Sequence, residues 1–324
     1  MSQLYYQGDG QRHASLVKNI NAGRTRYHRP EDYIAEPGLI NAVNVSLMLD
    51  KPLLLTGEPG TGKSQLAYSL AWELGFGEPF KFETKSTSTA RDLFYTFDAV
   101  GRFRAHNDQD TLSFLTYNAL GKAILFANDE SAVRKIMPLG MAHGGKRRVL
   151  VLIDEVDKAP RDFPNDILNE LEYLHFSVPE LGSDVITANP EYRPIVIITS
   201  NSEKDLPDAF LRRCIYYNLP FPDRKILQNI ILARLGEFSG SHSPLLSSAL
   251  DLFFRLRDQG SHLRKKPATV ELLDWLLALR SLPEGSSGAL SEPLVTRTLS
   301  SLAKTAEDQE KAEEIVKKWF MTKL

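Results

Sequence analysis

The stretch Leu53-Leu54-Leu55-Thr56-Gly57-Glu58-Pro59-Gly60-Thr61-Gly62-Lys63-Ser64 constrains this chain more than any other part of it. A short apolar run ends at a glycine, and beyond Ser64 the residues Leu66, Ala67, Leu70, Ala71 and Leu74 recur at helical spacing before Gly75. The reading is strand, loop, helix. The loop has the pattern G-x-x-x-x-G-K-[ST], in which each fixed residue has a physical task. Glycines let successive backbone N–H groups turn towards one anion, and the following helix adds its positive N-terminal end. Lys63 neutralises β- and γ-phosphate charge, and Ser64 offers a hydroxyl to Mg²⁺. Gly57, Glu58, Pro59, Gly60, Thr61, Gly62, Lys63, Ser64 and Gln65 are therefore the candidate nucleotide-binding residues, with ATP and Mg²⁺ as the expected cofactors.

Three further segments bear on the same chemistry. Val149-Leu150-Val151-Leu152-Ile153-Asp154-Glu155 reads as a buried strand delivering two carboxylates at its C-terminal end, the edge where open α/β sheets bind ligands. Asp154 then suits Mg²⁺, and Glu155 suits orienting and deprotonating an attacking water. An acidic pair there points to hydrolysis rather than transfer to a substrate hydroxyl. Ile195-Val196-Ile197-Ile198-Thr199 leads into Ser200-Asn201, where Asn201 either holds the lytic water opposite Glu155 or serves as an ordinary turn residue. Leu206 to Cys214 reads as a short helix ending in Arg212 and Arg213. Cations there either complement the helix dipole or reach a γ-phosphate on a neighbouring subunit.

Strand candidates at Leu53 to Thr56, Phe80 to Thr84, Val149 to Ile153, Ile195 to Thr199 and Cys214 to Leu219 alternate with helical segments up to about Pro222. Nearly continuous apolar strands imply a parallel sheet flanked by helices, an α/β fold. Beyond Pro222 only amphipathic helices follow, near Arg224 to Leu235, Leu245 to Arg257, Thr269 to Leu279, Leu290 to Ala303 and Asp308 to Phe320. The charges of the last read as a solvated face, with Ile315, Trp319 and Phe320 inward. A length of 324 residues suits roughly two domains. The expected organisation is an N-terminal extension over 1–30, a sheet domain over 31–221 and a helical domain over 222–324.

A net charge of −2 supplies no global field for nucleic acid or an anionic membrane. The single cysteine, Cys214, excludes an internal disulfide framework and reads as a small core residue. No apolar run has the length of a spanning helix and no leader is evident, so a cytoplasmic protein is expected.

Taken in order, Gly57 to Ser64, Val149 to Glu155, Thr199-Ser200-Asn201, Leu211-Arg212-Arg213-Cys214 and the helical C-terminal segment resemble the AAA+ ATPases. The resemblance is strongest to the MoxR group, with features shared with McrB-type and dynein-like relatives, and covers roughly Glu31 to Leu279. It implies a five-stranded sheet with a C-terminal helical lid, ATP bound between them, and a homo-oligomeric ring, usually a hexamer. It also implies that Asn201 is sensor 1 and that Arg213, directly before the residue opening the last strand, is the arginine finger, with Arg212 the alternative. The lid segment departs from the family pattern. No arginine stands at the sensor 2 place, and Lys266, in Leu263-Arg264-Lys265-Lys266-Pro267, is the nearest substitute; a solvated basic turn is the other reading. Tyr33 and Ile34 either line the adenine pocket, as in relatives, or pack on the core.

Two insertions stand out. Ser86 to Asn107 carries Phe94, Tyr95, Phe97 and Phe103 and resembles the family's helix-2 insert, while Phe176 to Arg193 reads as a hairpin. Their aromatic residues either grip a polypeptide in a ring pore or pack as core. The function expected from the resemblance is a chaperone-like motor that remodels, matures or activates a protein client. A nucleic-acid motor or loader and a slow nucleotide switch are the alternatives. Lys146-Arg147-Arg148 and Arg264-Lys265-Lys266 are the only concentrated basic segments and read as strand-flanking and turn charge.

Overall fold

The computed structural model of the chain describes residues 29–105, 110–202, 206–236, 244–282 and 289–322. The expected N-terminal extension lies outside them, apart from residues 29–30. The chain divides into two compact units, Ala35–Phe221 and a helical unit of Pro222–Leu324 that also takes in residues up to Ile34.

The first unit runs α1 (Pro37–Leu49), β1 (Leu53–Thr56), α2 (Lys63–Glu73), β2 (Phe80–Glu83), β3 (Tyr95–Phe97), α3 (Ala99–Arg104), β4 (Leu115–Tyr117), α4 (Ala119–Phe126) and α5 (Glu130–Val133). It continues with β5 (Leu150–Asp154), α6 (Phe163–Asp166), α7 (Leu168–Tyr173), β6 (His175–Phe176), β7 (Ile186–Thr187), β8 (Ile195–Thr199), α8 (Asp208–Leu211) and β9 (Ile215–Asn218). Five strands form one parallel sheet in the order β2-β5-β8-β1-β9. The three inner strands are buried along almost their whole length, which is why their sequences are unbroken apolar runs. The two edge strands alternate in exposure, as the Phe80-Lys81-Phe82-Glu83 pattern requires. Helix α2 packs on β5 and β8, and the almost wholly buried α4 packs on β2 and β5. The sheet's C-terminal edge thereby carries the end of β1, the start of α2 and the ends of β5 and β8 at one place.

Both insertions are packed elements. In the first, β3 pairs antiparallel with β4; in the second, β6 pairs antiparallel with β7. Phe94 stacks on Phe176 with ring centroids 5.3 Å apart, and Tyr117 meets the same ring edge-on. Phe94 and Tyr95 are thus core, and Tyr95 donates its hydroxyl hydrogen to Glu180 at 2.8 Å. Phe103, on α3, is 87% exposed. Cys214 is buried and free, and burial pushes its thiol up to about 12.

The helical unit comprises α9 (Arg224–Leu235), α10 (Pro244–Arg257), α11 (Thr269–Ser281), α12 (Glu292–Thr298) and α13 (Ala306–Met321). Residues 31–34, expected with the sheet domain, group here because the turn Pro30–Asp32 packs on α9, where Asp32 and Tyr33 face Arg234. The single helix expected over Leu290 to Ala303 is instead α12 followed by a 3-10 turn, Leu299–Ser301. Thr298 accepts the indole N–H of the fully buried Trp275 at 2.9 Å, and Ser301 donates its hydroxyl to the Thr298 carbonyl at 2.7 Å. Side-chain bonds of this kind compete with the helical ladder.

The solvated face expected for α13 is corrected at Asp308, which is fully buried. Its carboxylate accepts the backbone N–H groups of Arg264 at 2.8 Å and Lys265 at 3.1 Å. The residues this helix buries are Asp308, Ala312 and Val316, whereas Ile315, Trp319 and Phe320 are only half-buried.

Candidate functional site

The loop after β1 turns on its glycines. Gly57 has φ 137°, and a Cβ there would stand 2.3 Å from the Leu219 carbonyl oxygen, so no other residue fits without displacing backbone. Gly60 and Gly62 also have positive φ, and Gly62 is the residue from which α2 starts. Thr61 donates its hydroxyl to the Glu58 carbonyl at 2.9 Å, closing the loop on itself. Glu58, Pro59 and Gly60 are exposed, whereas Lys63 is buried, and Gln65 follows Ser64 in the first turn of α2. The Lys63 ammonium donates to the carbonyls of Gly57 at 2.8 Å and Glu58 at 2.9 Å, folding back over the loop. Burial pulls it below the usual lysine range, against the opposing pull of Asp157, Asp154, Glu155 and Glu58.

Ser64 and Asp154 meet. Ser64 Oγ donates to Asp154 Oδ1 at 2.6 Å, and Thr199 Oγ1 donates to the same oxygen at 2.7 Å. The other carboxylate oxygen, Oδ2, lies 3.0 Å from the Lys81 ammonium. Burial alone would push this carboxyl up, but the bonds from Ser64, Thr199 and Lys81 outweigh it and hold Asp154 below the usual carboxylate range. Lys81 shows the converse. Burial lowers it, yet its bonds to Glu83 and Asp154 prevail and lift it to about 12. Two oxygen donors 2.6 Å apart at the start of α2 fit a small divalent cation, which keeps several waters and takes its remaining ligands from phosphates.

Glu155 directly follows and adopts left-handed φ 56°, a conformation uncommon outside glycine. Its N–H is held by Thr199 Oγ1 at 2.9 Å. One carboxylate oxygen accepts from Asn201 Nδ2 at 3.3 Å, and the other pairs with Lys158. The Asn201 backbone N–H is itself fixed by Asp157 at 3.0 Å. The sequence reading placed Asn201 opposite Glu155 across a water; here the two side chains bond directly.

Arg213 donates from Nε to Glu172 on α7 at 2.9 Å, within its own chain. Arg212, at the C-terminus of α8, is exposed and makes no ion pair among the described residues. Lys266, Tyr33 and Ile34 belong to the helical unit, not to the unit that carries the loop. Lys266 is exposed on the turn whose backbone Asp308 holds. The other basic segment is bound internally. Lys146 pairs with Asp129 and lies over the Tyr192 ring, Arg147 lies over Phe126, and Arg148 donates to the Glu191 carbonyl at 2.9 Å.

Sequence reasoning missed Lys81, Lys158, Asp157 and the double role of Thr199. The alternation of β2 carried part of the signal. The register pairs Glu83 with Asp154, so Lys81 and Glu83 share Asp154's face of the sheet, but only the strand order makes β2 and β5 neighbours.

A family model described as "AAA domain (dynein-related subfamily)" matches residues 52–214, about half of the chain. Among curated proteins, the ATP-dependent zinc metalloprotease FtsH of Nitrosococcus oceani is 28% identical over 200 residues, covering 62% of this chain and 26% of that protein. The chain thus spans about a quarter of the length of this curated relative. Among solved structures, a chain described under "Structural Basis for Katanin Self-Assembly" is 14% identical, with TM-score 0.44, covering 89% of this chain and 90% of that one. A RuvB mutant from Thermogota maritima is 15% identical, with TM-score 0.49, covering 88% of this chain and 74% of that one.

Proposed function

The chain belongs to the dynein-related subfamily of AAA domain proteins, and we propose that it hydrolyses ATP within a ring of like subunits, remodelling or activating a partner protein as a MoxR-like motor. The observation that carries this reading is the convergence of Ser64 on Asp154 at 2.6 Å, with Glu155 next in sequence and bonded to Asn201.

In this reading, the phosphates draw the Lys63 ammonium off the Gly57 and Glu58 carbonyls, which occupy it in their place. A bound Mg²⁺ would supply charge neutralisation to the phosphates, and Ser64 and Asp154 are the residues that would hold it. Glu155 takes the proton of the attacking water, and Asn201 orients its carboxylate. Lys158 shares that carboxylate and must release an oxygen before it acts as a base. Arg213 is the finger offered to the neighbouring subunit, and it must first leave Glu172; Arg212 has no such tether among the described residues. Lys266 is the lid's phosphate-sensing cation, and Tyr33 and Ile34 contact the adenine. The internal bonding of Lys146, Arg147 and Arg148 leaves no basic stripe there for nucleic acid, which favours a protein client over a DNA or RNA track.

The test is retention of a client by a stalled ring. Glu155→Gln protein held in ATP should elute as an oligomer and retain a protein partner that Lys63→Ala does not. Recovery of oligomer alone would overturn the remodelling reading, and a monomer in ATP would overturn the ring.

A further inference from the structure

β2 is the end strand of the sheet, and its outer edge is unpaired among the described residues. Thr84 donates its N–H to the Asp154 carbonyl at 3.1 Å, which fixes the phase of the parallel ladder. In such a ladder alternate residues turn both their N–H and C=O to the partner, so Phe80, Phe82 and Thr84 face β5. Lys81 and Glu83 therefore present two donors and two acceptors outward. In front of them lies an open cleft of about 710 Å³, bounded by Phe80, Phe82, Lys85, Thr96, Asn118 and Lys122.

We propose that this edge is a docking strand for an extended, acidic segment of a partner protein, added to the sheet beside β2. Free edges are commonly blunted by a lysine standing over them. Lys81 is not placed to do so, because its ammonium is drawn onto Asp154 at 3.0 Å and Glu83 at 2.6 Å. The charge of the cleft selects the partner. Its lining carries Lys81, Lys85 and Lys122 against Glu83 and Asp92, a surplus of positive charge, and Asp92 is engaged by the Thr89 N–H and hydroxyl at 2.8 and 2.9 Å. Lys85 and Lys122 have no ion pair or side-chain hydrogen bond among the described residues, so they are the cations left for the occupant. An added strand places every second side chain on one face. On the Lys81 and Glu83 side an acidic residue thus meets Lys85, while the intervening apolar ones meet the half-buried Phe80 and Phe82, beside which Lys122 on α4 takes a second acidic residue. The segment would bond to the backbone of Lys81, whose side chain holds the proposed metal ligand. The inference rests on the remodelling reading only in calling the segment a client's.

The probe is a fluorescein-labelled ten-residue peptide of alternating Glu and Val, followed by anisotropy on the full chain without nucleotide. Two further peptides carry Lys in place of Glu, or N-methyl groups on alternate amides along the pairing edge. The Glu–Val peptide should bind, and each change should weaken it roughly tenfold or more, the loss of two bonds or of the charge match. A Lys85→Glu/Lys122→Glu variant should lose the Glu–Val peptide and take up the Lys–Val one. Lys85 is exposed, Lys122 is half-buried on α4, and both lie outside the nucleotide site, so basal phosphate release should stay unchanged and report that the fold is intact. Failure of the Glu–Val peptide to bind would overturn the inference, as would binding within twofold across the N-methylated peptide and the double variant. Peptide binding by a chain that releases no phosphate would sink the motor and leave the docking strand standing; phosphate release without peptide binding would do the reverse.

Discussion

Replacing Asp308 by alanine removes a carboxylate that is fully buried although it stands on the most charged helix of the chain. Two of its acceptor bonds go to backbone: Arg264 N–H at 2.8 Å and Lys265 N–H at 3.1 Å. A bond to a charged acceptor contributes about 1.5–3 kcal/mol, and an amide left without a partner costs about 1–3 kcal/mol. Arg264 and Lys265 are themselves exposed, so water reaches part of the deficit and the expected total falls to about 2–4 kcal/mol. Asparagine keeps one acceptor oxygen and should cost about half as much. Burial alone would raise the Asp308 carboxyl, but the Arg264 and Lys265 amides and the Thr305 hydroxyl hold it below the usual range. A depressed folded pKa means that this contribution is complete above the unfolded value, about pH 4, and is lost as pH falls through the folded value. Urea denaturation of the full chain across acid pH, paired with hydrogen exchange at the Arg264 and Lys265 amides, measures both effects. Asp308→Ala should be less stable at neutral pH, exchange faster at those two amides and lose part of the acid-dependent slope. A variant within about 0.5 kcal/mol of wild type, or one with an unchanged acid slope, would refute the reasoning.

Three other perturbations act on the nucleotide site. Lys81→Met removes a cation 3.0 Å from Asp154; the pair is part-exposed, so the effect is discounted to about 1 kcal/mol. Mn²⁺ binding followed by EPR without nucleotide should then tighten about fivefold, and unchanged or weaker binding would contradict the assigned competition. Thr199→Val strips the donor to Asp154 and leaves the Glu155 N–H unpaired, so phosphate release should fall at least tenfold while ATP binding survives; Thr199→Ser should restore it, and an unaffected valine variant would argue against the role. Gly57→Ala combines a φ of 137° with a Cβ 2.3 Å from the Leu219 carbonyl, and should destabilise the unit by more than about 2 kcal/mol in thermal melts, whereas a neutral outcome would show that the loop relaxes freely.

The parts of the fold written in local pattern were readable from sequence. The ends of β1 and β8 and of α9 follow from unbroken apolar runs or from helical periodicity beginning at a proper cap, as where Asp223 accepts the Ile226 N–H at 2.8 Å. The loop from Gly57 to Ser64 was legible for the same reason, since strand, glycines, lysine and hydroxyl are contiguous. What depends on strand order or on a partner distant in sequence was not. Lys81 reaches Asp154 only because β2 lies beside β5, and Arg213 is tied to Glu172 across 41 positions. Asp308 is an instructive miss. It falls four residues before Ala312 and eight before Val316, on the buried stripe of α13, so the spacing marked it as inward while its charge suggested solvent. The aromatic residues of the first insertion were open between pore and core, and the Phe94 to Phe176 stack that assigns Phe94 to the core, while Phe103 stays exposed, joins two segments the sequence keeps apart.

The central claim is that Asp154 and Glu155 divide metal holding from water activation. Phosphate release from Mg·ATP by the wild-type and Glu155→Gln chains, with ATP affinity measured on the same samples, tests it most directly. Loss of a general base costs about 10²–10⁴ in rate, so the variant should bind ATP within about threefold of wild type and release phosphate at least about a hundredfold more slowly. Equal release rates for the two proteins, or no release by the wild type, would contradict the account.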